Sequence, residues 1–237
     1  GGSGIGLSIA RAFDDLGATV VLNGRNEGKL KDAAASLSSR ARLRPFDITK
    51  IDEIDAWVGD IESEVGAVAT LINNAGKHQK KDSFDVSIDE LNDVLATNLN
   101  AGFTLAQSVA RRLKERGRPG DLQFISSMAA LFGIHYVASY TAAKSAITGL
   151  TRQLAVEWGE HGIRVNAIAP GFIETDMSRK ALDNDPDRKN RILQRTPLKR
   201  LGLPEEIGAV SAFLSSKAGS FITGAVLPVD GGISGGF

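Results

Sequence analysis

The chain has 237 residues, of which 42% are hydrophobic and 24% charged, enough for one large α/β domain burying roughly 70% of the surface its unfolded chain exposes. Lys plus Arg and Asp plus Glu balance at 28 each, so no global field draws the protein to nucleic acid or to an anionic membrane. Without cysteine, and without an apolar run approaching the ~20 residues of a membrane span, it offers no disulfide framework, thiolate metal site or membrane helix; the expectation is a cytoplasmic protein acting on a small molecule.

In chain order the pattern alternates. GGSGIGLSIARAF opens on a glycine-dense turn that runs into a helix over Ile5 to Leu16. Such a turn works only when a buried strand aims it, and the expectation is that residues upstream of Gly1 supply one. Then follow a strand at Ala18 to Asn23, a helix at Glu27 to Ser38, a strand at Ala41 to Phe46, a helix at Ile51 to Val65 and a strand at Thr70 to Asn73. One long helical stretch covers Ser87 to Arg116, and a strand Leu122 to Ser126. The remaining elements are a helix around Tyr136 to His161, a strand Ile163 to Ala169, a helix Pro204 to Ser215 and a strand Ala225 to Val229. Strands separated by helices of this length demand right-handed crossovers, hence a doubly wound parallel sheet of Rossmann type in a single domain over residues 1–237.

Chemistry-bearing residues gather at one end of that sheet. NNAG (Asn73 to Gly76), the pair Ser126 and Ser127, and Pro170 with Gly171 each follow a strand, and YTAAK sets Tyr140 four residues before Lys144. Carboxyl ends of parallel strands are where an open α/β sheet builds its site. With these motifs, and with Asn98 in TNLNAG, PGFIET (170–175) and VDGG (229–232), the chain resembles the short-chain dehydrogenase/reductase family over essentially its whole length. Gly1 to Gly6 match the last six places of that family's TGxxxGxG turn.

The resemblance implies a catalytic tetrad of Asn98, Ser127, Tyr140 and Lys144. Spacing alone puts Tyr140 and Lys144 on one helix face, one turn apart. A phenol of pKa near 10 is a poor base at neutral pH; bringing it to about 7 takes roughly 4 kcal/mol of preference for the phenolate, which the Lys144 cation and an oxidised nicotinamide are expected to supply. Ser127 would hydrogen-bond the reacting oxygen, and Asn98 would hold a water linking Lys144 to solvent. No metal is called for.

The resemblance also places a cofactor on Ser3, Gly4, Ile5 and Gly6 for the pyrophosphate, Asp47 and Ile48 for the adenine, Asn74, Ala75 and Gly76 as a floor, Tyr140 and Lys144 at the ribose, and Pro170, Gly171, Ile173 and Thr175 at the carboxamide. After the second strand LNGRN carries Gly24 where an acid would repel a 2′-phosphate, then Arg25, whose donors suit one, beside Asn23 for the ribose. NADP(H) is favoured and NAD(H) possible.

Residues 174–200 read as a variable substrate lid with eight basic and five acidic side chains, and beside it KHQKK follows NNAG. This electropositive rim suits an anionic substrate, with His78, Met128, His135 and Tyr136 lining it. The expected reaction interconverts a secondary alcohol and a ketone on a sugar acid or polyol. A 3-oxoacyl-(acyl-carrier-protein) reductase is the alternative, and a non-catalytic NADP-binding regulator the reading from another class. An epimerase or dehydratase on a nucleotide sugar would need a larger C-terminal domain. Apolar residues off one helix face, among them Leu99, Phe103, Leu105, Leu150 and Leu154, resemble the family's four-helix dimer contact, and that resemblance implies a homo-oligomer, expected as a homotetramer.

Overall fold

The computed structural model describes residues 1–236, and of 176, 177, 180 and 181 only the backbone. Every strand pairs in parallel, with helices supplying the crossovers. A pair, β1 (Val21–Leu22) with β2 (Arg42–Leu43), lies apart from a four-stranded sheet ordered β3 (Thr70–Asn73), β4 (Gly120–Ile125), β5 (Ile163–Pro170) and β6 (Val226–Val229).

The hydrogen-bonded strands thus form two sheets. Between the edges of β1 and β3 runs a channel of about 480 Å³, lined by Val20 to Asn23 on one side, Leu71 to Asn73 on the other, and capped by apolar side chains such as Phe13 and Val58. It occupies the place where a doubly wound order sets a central strand. Strands β1 and β2 are shorter than their apolar runs because each has one ladder neighbour. The hydrogen bonding nevertheless continues past both ends, from Arg42 N–H to Val20 O at 2.8 Å and from Phe46 N–H to Gly24 O at 3.2 Å.

Helices α1 (Gly4–Asp15), α2 (Glu27–Ala35) and α3 (Ile54–Val65) follow the expected boundaries closely, with a 3₁₀ turn at Ile51–Glu53 ahead of α3. The stretch expected as one long helix is interrupted. α4 (Ile88–Leu95), started by a Ser87/Glu90 capping box, passes through a π turn at Ala96–Asn100 into α5 (Ala101–Glu115). α6 (Ala138–Gly159) carries the YTAAK segment. The lid holds two helices that residue periodicity did not reveal, α7 (Asp176–Asp183) and α8 (Pro186–Arg195), before α9 (Pro204–Ser215) packs on α1. Among the described residues no helix is long and apolar enough to cross a membrane.

The main core follows from the apolar face that β4 and β5 turn toward α5 and α6. Leu122, Phe124, Val165 and Ala167 are buried with Leu105, Val109, Ile147 and Leu154 from α5 and α6. This corrects part of the expected subunit contact: Leu105 and Leu154, 8% and 3% exposed, belong to the core, because the sheet takes those positions first. Leu99, Phe103 and Leu150 stay partly exposed at the core's border.

At the amino ends of the strands a polar cluster replaces apolar packing. Arg164 of β5 sets its guanidinium 3.0 Å from Asp121 of β4 and donates to Leu214 O, Gly219 O and Ile222 O, tying the end of α9 to the sheet. Asp121 also accepts from Gln123 and Ser215. Its contact with Arg164 through the second oxygen lacks hydrogen-bond alignment and is Coulombic. Burial pushes the Asp121 carboxyl above its usual range while these partners pull it back. Arg164→Met strands that acid, so we expect a loss of about 3 kcal/mol in urea unfolding, against a smaller loss for Asp121→Asn, which removes the charge. Equal small losses would refute the account.

Candidate functional site

Loops leaving β3, β4 and β5 meet the first turns of α6. Lys144 is 4% exposed and donates from Nζ to Ile125 O at 2.6 Å, while Ser126 Oγ donates back to Lys144 O at 3.3 Å. The end of β4 and α6 are therefore clamped in both directions. The ammonium lies 5.6 Å from the ring centroid of Tyr140, as the four-residue spacing requires. Burial lowers the Lys144 pKa to about 8.

Ser127 caps the 3₁₀ turn Met128–Ala130, accepting from Ala129 N–H at 3.1 Å, and its hydroxyl lies near enough to the Tyr140 phenol to favour the phenolate. The expected lowering of the Tyr140 pKa counts on an oxidised nicotinamide as well as on Lys144. In the protein alone burial raises the phenol's pKa, and Ser127 only moderates the rise.

Asn98 sits in the π turn, 4% exposed, with its amide spent on the backbone of one residue: it donates to Lys77 O at 2.7 Å and accepts from Lys77 N–H at 2.6 Å. It therefore fixes the loop after NNAG, a task spacing did not reveal. A Cβ at Gly76 would stand 2.9 Å from Asn98 Oδ1 and 3.8 Å from Lys144 Nζ, so the glycine floor, Asn98 and Lys144 adjoin.

The turn at Ser3 to Gly6 forms an anion cradle. Ser3 heads α1 without a side-chain cap, leaving the first-turn amides of Gly4, Ile5 and Gly6 open to a negative ligand. Gly4 has φ +52, and a Cβ at Gly6 would lie 2.6 Å from Asn74 Nδ2, so this backbone admits close approach only with glycine. Asp47 and Ile48 follow β2; Asp47 accepts from Thr49 N–H and Oγ1, and with Arg25 nearby its carboxyl stays below the usual range. Arg25 is exposed and free of any ion pair among the described residues. The Asn23 amide is corrected: both its N–H donors go to the sheet, to Arg44 O at 3.0 Å and Phe46 O at 3.2 Å, so they are not offered to a ribose. Gly171 after Pro170 packs so closely on Asp230 that a Cβ would lie 2.6 Å from its Cα. Ile173 is buried, and Thr175 caps α7 while turning its methyl toward Gly4.

His78 faces Tyr140 with ring centroids 5.0 Å apart, and His135 lies 6.0 Å from Tyr136. Lys81 N–H donates to Tyr136 O at 2.8 Å, joining the two loops into one rim. Tyr136, 51% exposed, holds φ +67, a strained backbone for a non-glycine residue. Met128 is buried beneath this rim. The arrangement supports proton transfer to an oxygen beside a phenol, and the glycine turn, the open helix terminus and the floor fit a dinucleotide's phosphates. Among the described residues no three metal-ligating side chains cluster.

Comparison with known proteins agrees with this geometry. The family model described as enoyl-(acyl carrier protein) reductase matches residues 1–234. Gluconate 5-dehydrogenase of Gluconobacter oxydans is 39% identical over 98% of this chain and 91% of its own. A 3-oxoacyl-(acyl-carrier-protein) reductase of Chlamydia muridarum is also 39% identical, over 99% of this chain and 94% of its own. The crystal structure of a gluconate 5-dehydrogenase from Burkholderia cenocepacia with NADP and tartrate covers all of this chain and 93% of that one, at TM-score 0.92 and 32% identity.

Lys144 binds its proton up to about pH 8 in the fold and up to 10.5 when unfolded, so the unfolded state holds more protons between these values. Stability of the free protein then rises with pH across that window. Lys144→Met removes the burial penalty, and its stability relative to the native protein should fall by about 3 kcal/mol from pH 8 to 10.5 in denaturant titrations. A difference independent of pH would contradict the burial account.

Proposed function

The chain belongs to the short-chain dehydrogenase/reductase family and is an oxidoreductase of CH–OH groups; on that basis we propose that it interconverts the alcohol and ketone of a small sugar acid or polyol, with Tyr140 as general acid/base. The observation that carries this reading is the convergence of Tyr140, Ser127 and the buried Lys144 beside a glycine-lined anion cradle. Gluconate 5-dehydrogenases among the relatives support the substrate class.

A nicotinamide, when bound, supplies or accepts the hydride. The chain's own residues do the rest. Open amides of α1 and the floor at Asn74, Ala75 and Gly76 hold the phosphates and ribose in place. Tyr140 takes the alcohol proton in oxidation and returns it in reduction, while Ser127 holds the reacting oxygen. Lys144, positively charged below about pH 8, favours the phenolate and orients the ribose. Asn98 keeps the Lys77 loop, and with it the pocket wall, in place. NADP(H) is the preferred nicotinamide in this reading, supported by Arg25 standing exposed beside Gly24 and by NADP in the Burkholderia structure. Reduction of 3-oxoacyl thioesters is the second reading, supported by the Chlamydia relative.

We expect gluconate and related acids to be oxidised faster than acyl thioesters are reduced, and NADP(H) to serve better than NAD(H), in a substrate panel run with both nicotinamides. Tyr140→Phe should lower kcat about a thousandfold while NADPH fluorescence titrations stay unchanged. Full turnover in that variant would end the proposal.

A cytoplasmic homotetramer completes the reading. Val156 on α6, 80% exposed, and the partly exposed Leu99, Phe103 and Leu150 support a helix-on-helix subunit contact. Sedimentation at micromolar concentration should give four times the 25.1 kDa chain mass, and a monomer there would reject it.

A further inference from the structure

Above Tyr140 the rim carries positive charge that neither proton transfer nor dinucleotide binding employs. His78 faces the phenol, with ring centroids 5.0 Å apart, and feels the charge of two cations drawn from separate parts of the chain, Lys80 in its own loop and Arg188 in the first turn of α8. Lys80 Nζ stands 5.9 Å from the ring centroid of Tyr136, so the loop after NNAG meets the approach to α6. Arg188 is half-buried, and its backbone is fixed by Asp185, which accepts its N–H at 3.0 Å.

What separates these two cations from their neighbours is pairing. Lys81 is bound to Glu90 and Lys189 to Asp183, whereas among the described residues neither Lys80 nor Arg188 has a carboxylate partner. Two unneutralised cations converging on one imidazole at a pocket mouth are electrostatically unfavourable unless an anion joins them. Burial and the two cations hold the His78 pKa below its ordinary value, leaving a neutral ring with one donor and one acceptor nitrogen. The phenol of Tyr140 answers instead to burial and Ser127.

We propose that Arg188, Lys80 and His78 form the anion pocket of the substrate site, with the two cations receiving the carboxylate of a sugar acid and the imidazole hydrogen-bonding a hydroxyl further along its chain. This rests on the sugar-acid reading above and adds the residues that measure the substrate. Arg188, arriving on the lid, ties lid closure to the presence of the anion.

The probes are gluconate and its uncharged counterpart sorbitol, assayed with NADP⁺. In Arg188→Gln the ratio of kcat/KM for gluconate over sorbitol should fall about tenfold, chiefly through KM, with Lys80→Gln falling less and Arg188→Lys recovering part of the loss. An unchanged ratio overturns the pocket. If the native protein turns over neither probe, the sugar-acid reading fails separately and calorimetry decides the pocket: gluconate titrated into NADP⁺-loaded Tyr140→Phe protein should bind, about tenfold more weakly once Arg188→Gln is added. Gluconate that fails to bind, or binds both proteins alike, overturns it.

Discussion

A lysine ammonium in the protein interior, held by a strand-end carbonyl, is the constraint around which the site is arranged. Lys144 Nζ reaches Ile125 O because β4 ends beneath the first turns of α6, and Ser126 Oγ returns the contact to the helix backbone. Taking that cation out of water is unfavourable, as its depressed pKa records. The fold sustains it with the apolar mass of β4, β5 and α6, whose side chains make the main core. Stability and chemistry oppose one another at this residue, a pattern common where a site needs a group the interior would reject.

From Lys144 the arrangement extends in two directions. Toward the sheet lie Gly76 and Asn98, packed so closely that any side chain at Gly76 would displace one of them. Toward solvent lie Tyr140, Ser127 and His78, then the charged rim. Polarity thus changes in steps: a buried cation, a half-buried phenol, a neutral imidazole, and cations at the mouth. In low dielectric each step weighs more than it would in water, and in the proposed reaction a substrate oxygen at the phenol would meet a prearranged field instead of mobile solvent.

Asn98 shows how the helical layer serves the site. α4 and α5 lie on one helical path, yet a π turn between them swings one asparagine inward to grip both backbone groups of Lys77. The grip orders the loop that carries His78 and Lys80. A local departure from regular helix geometry and the shape of the pocket rim are therefore one structural fact. At the opposite end of the sheet Arg164 and Asp121 do comparable work for stability, tying α9 to β4 and β5 without touching the site.

Much was legible in the residues alone. Apolar runs of strand length alternating with amphipathic stretches dictate parallel strands with helical crossovers, since only that topology buries strands apolar on both faces. The four-residue spacing of Tyr140 and Lys144, and the strand-end positions of NNAG and Ser127, follow from helix and strand periods and put the chemistry at the carboxyl edge. What tertiary structure decided were quantities that depend on neighbours distant in sequence. These were the π turn at Asn98, the commitment of Asn23 to the carbonyls of Arg44 and Phe46, the burial of Leu105 and Leu154, the rise in the Tyr140 pKa, and the reach of the Arg188 charge to His78. Hydrogen-bond partners, desolvation and charge proximity are set by which surfaces meet, and a local pattern encodes only the surfaces, not their meeting.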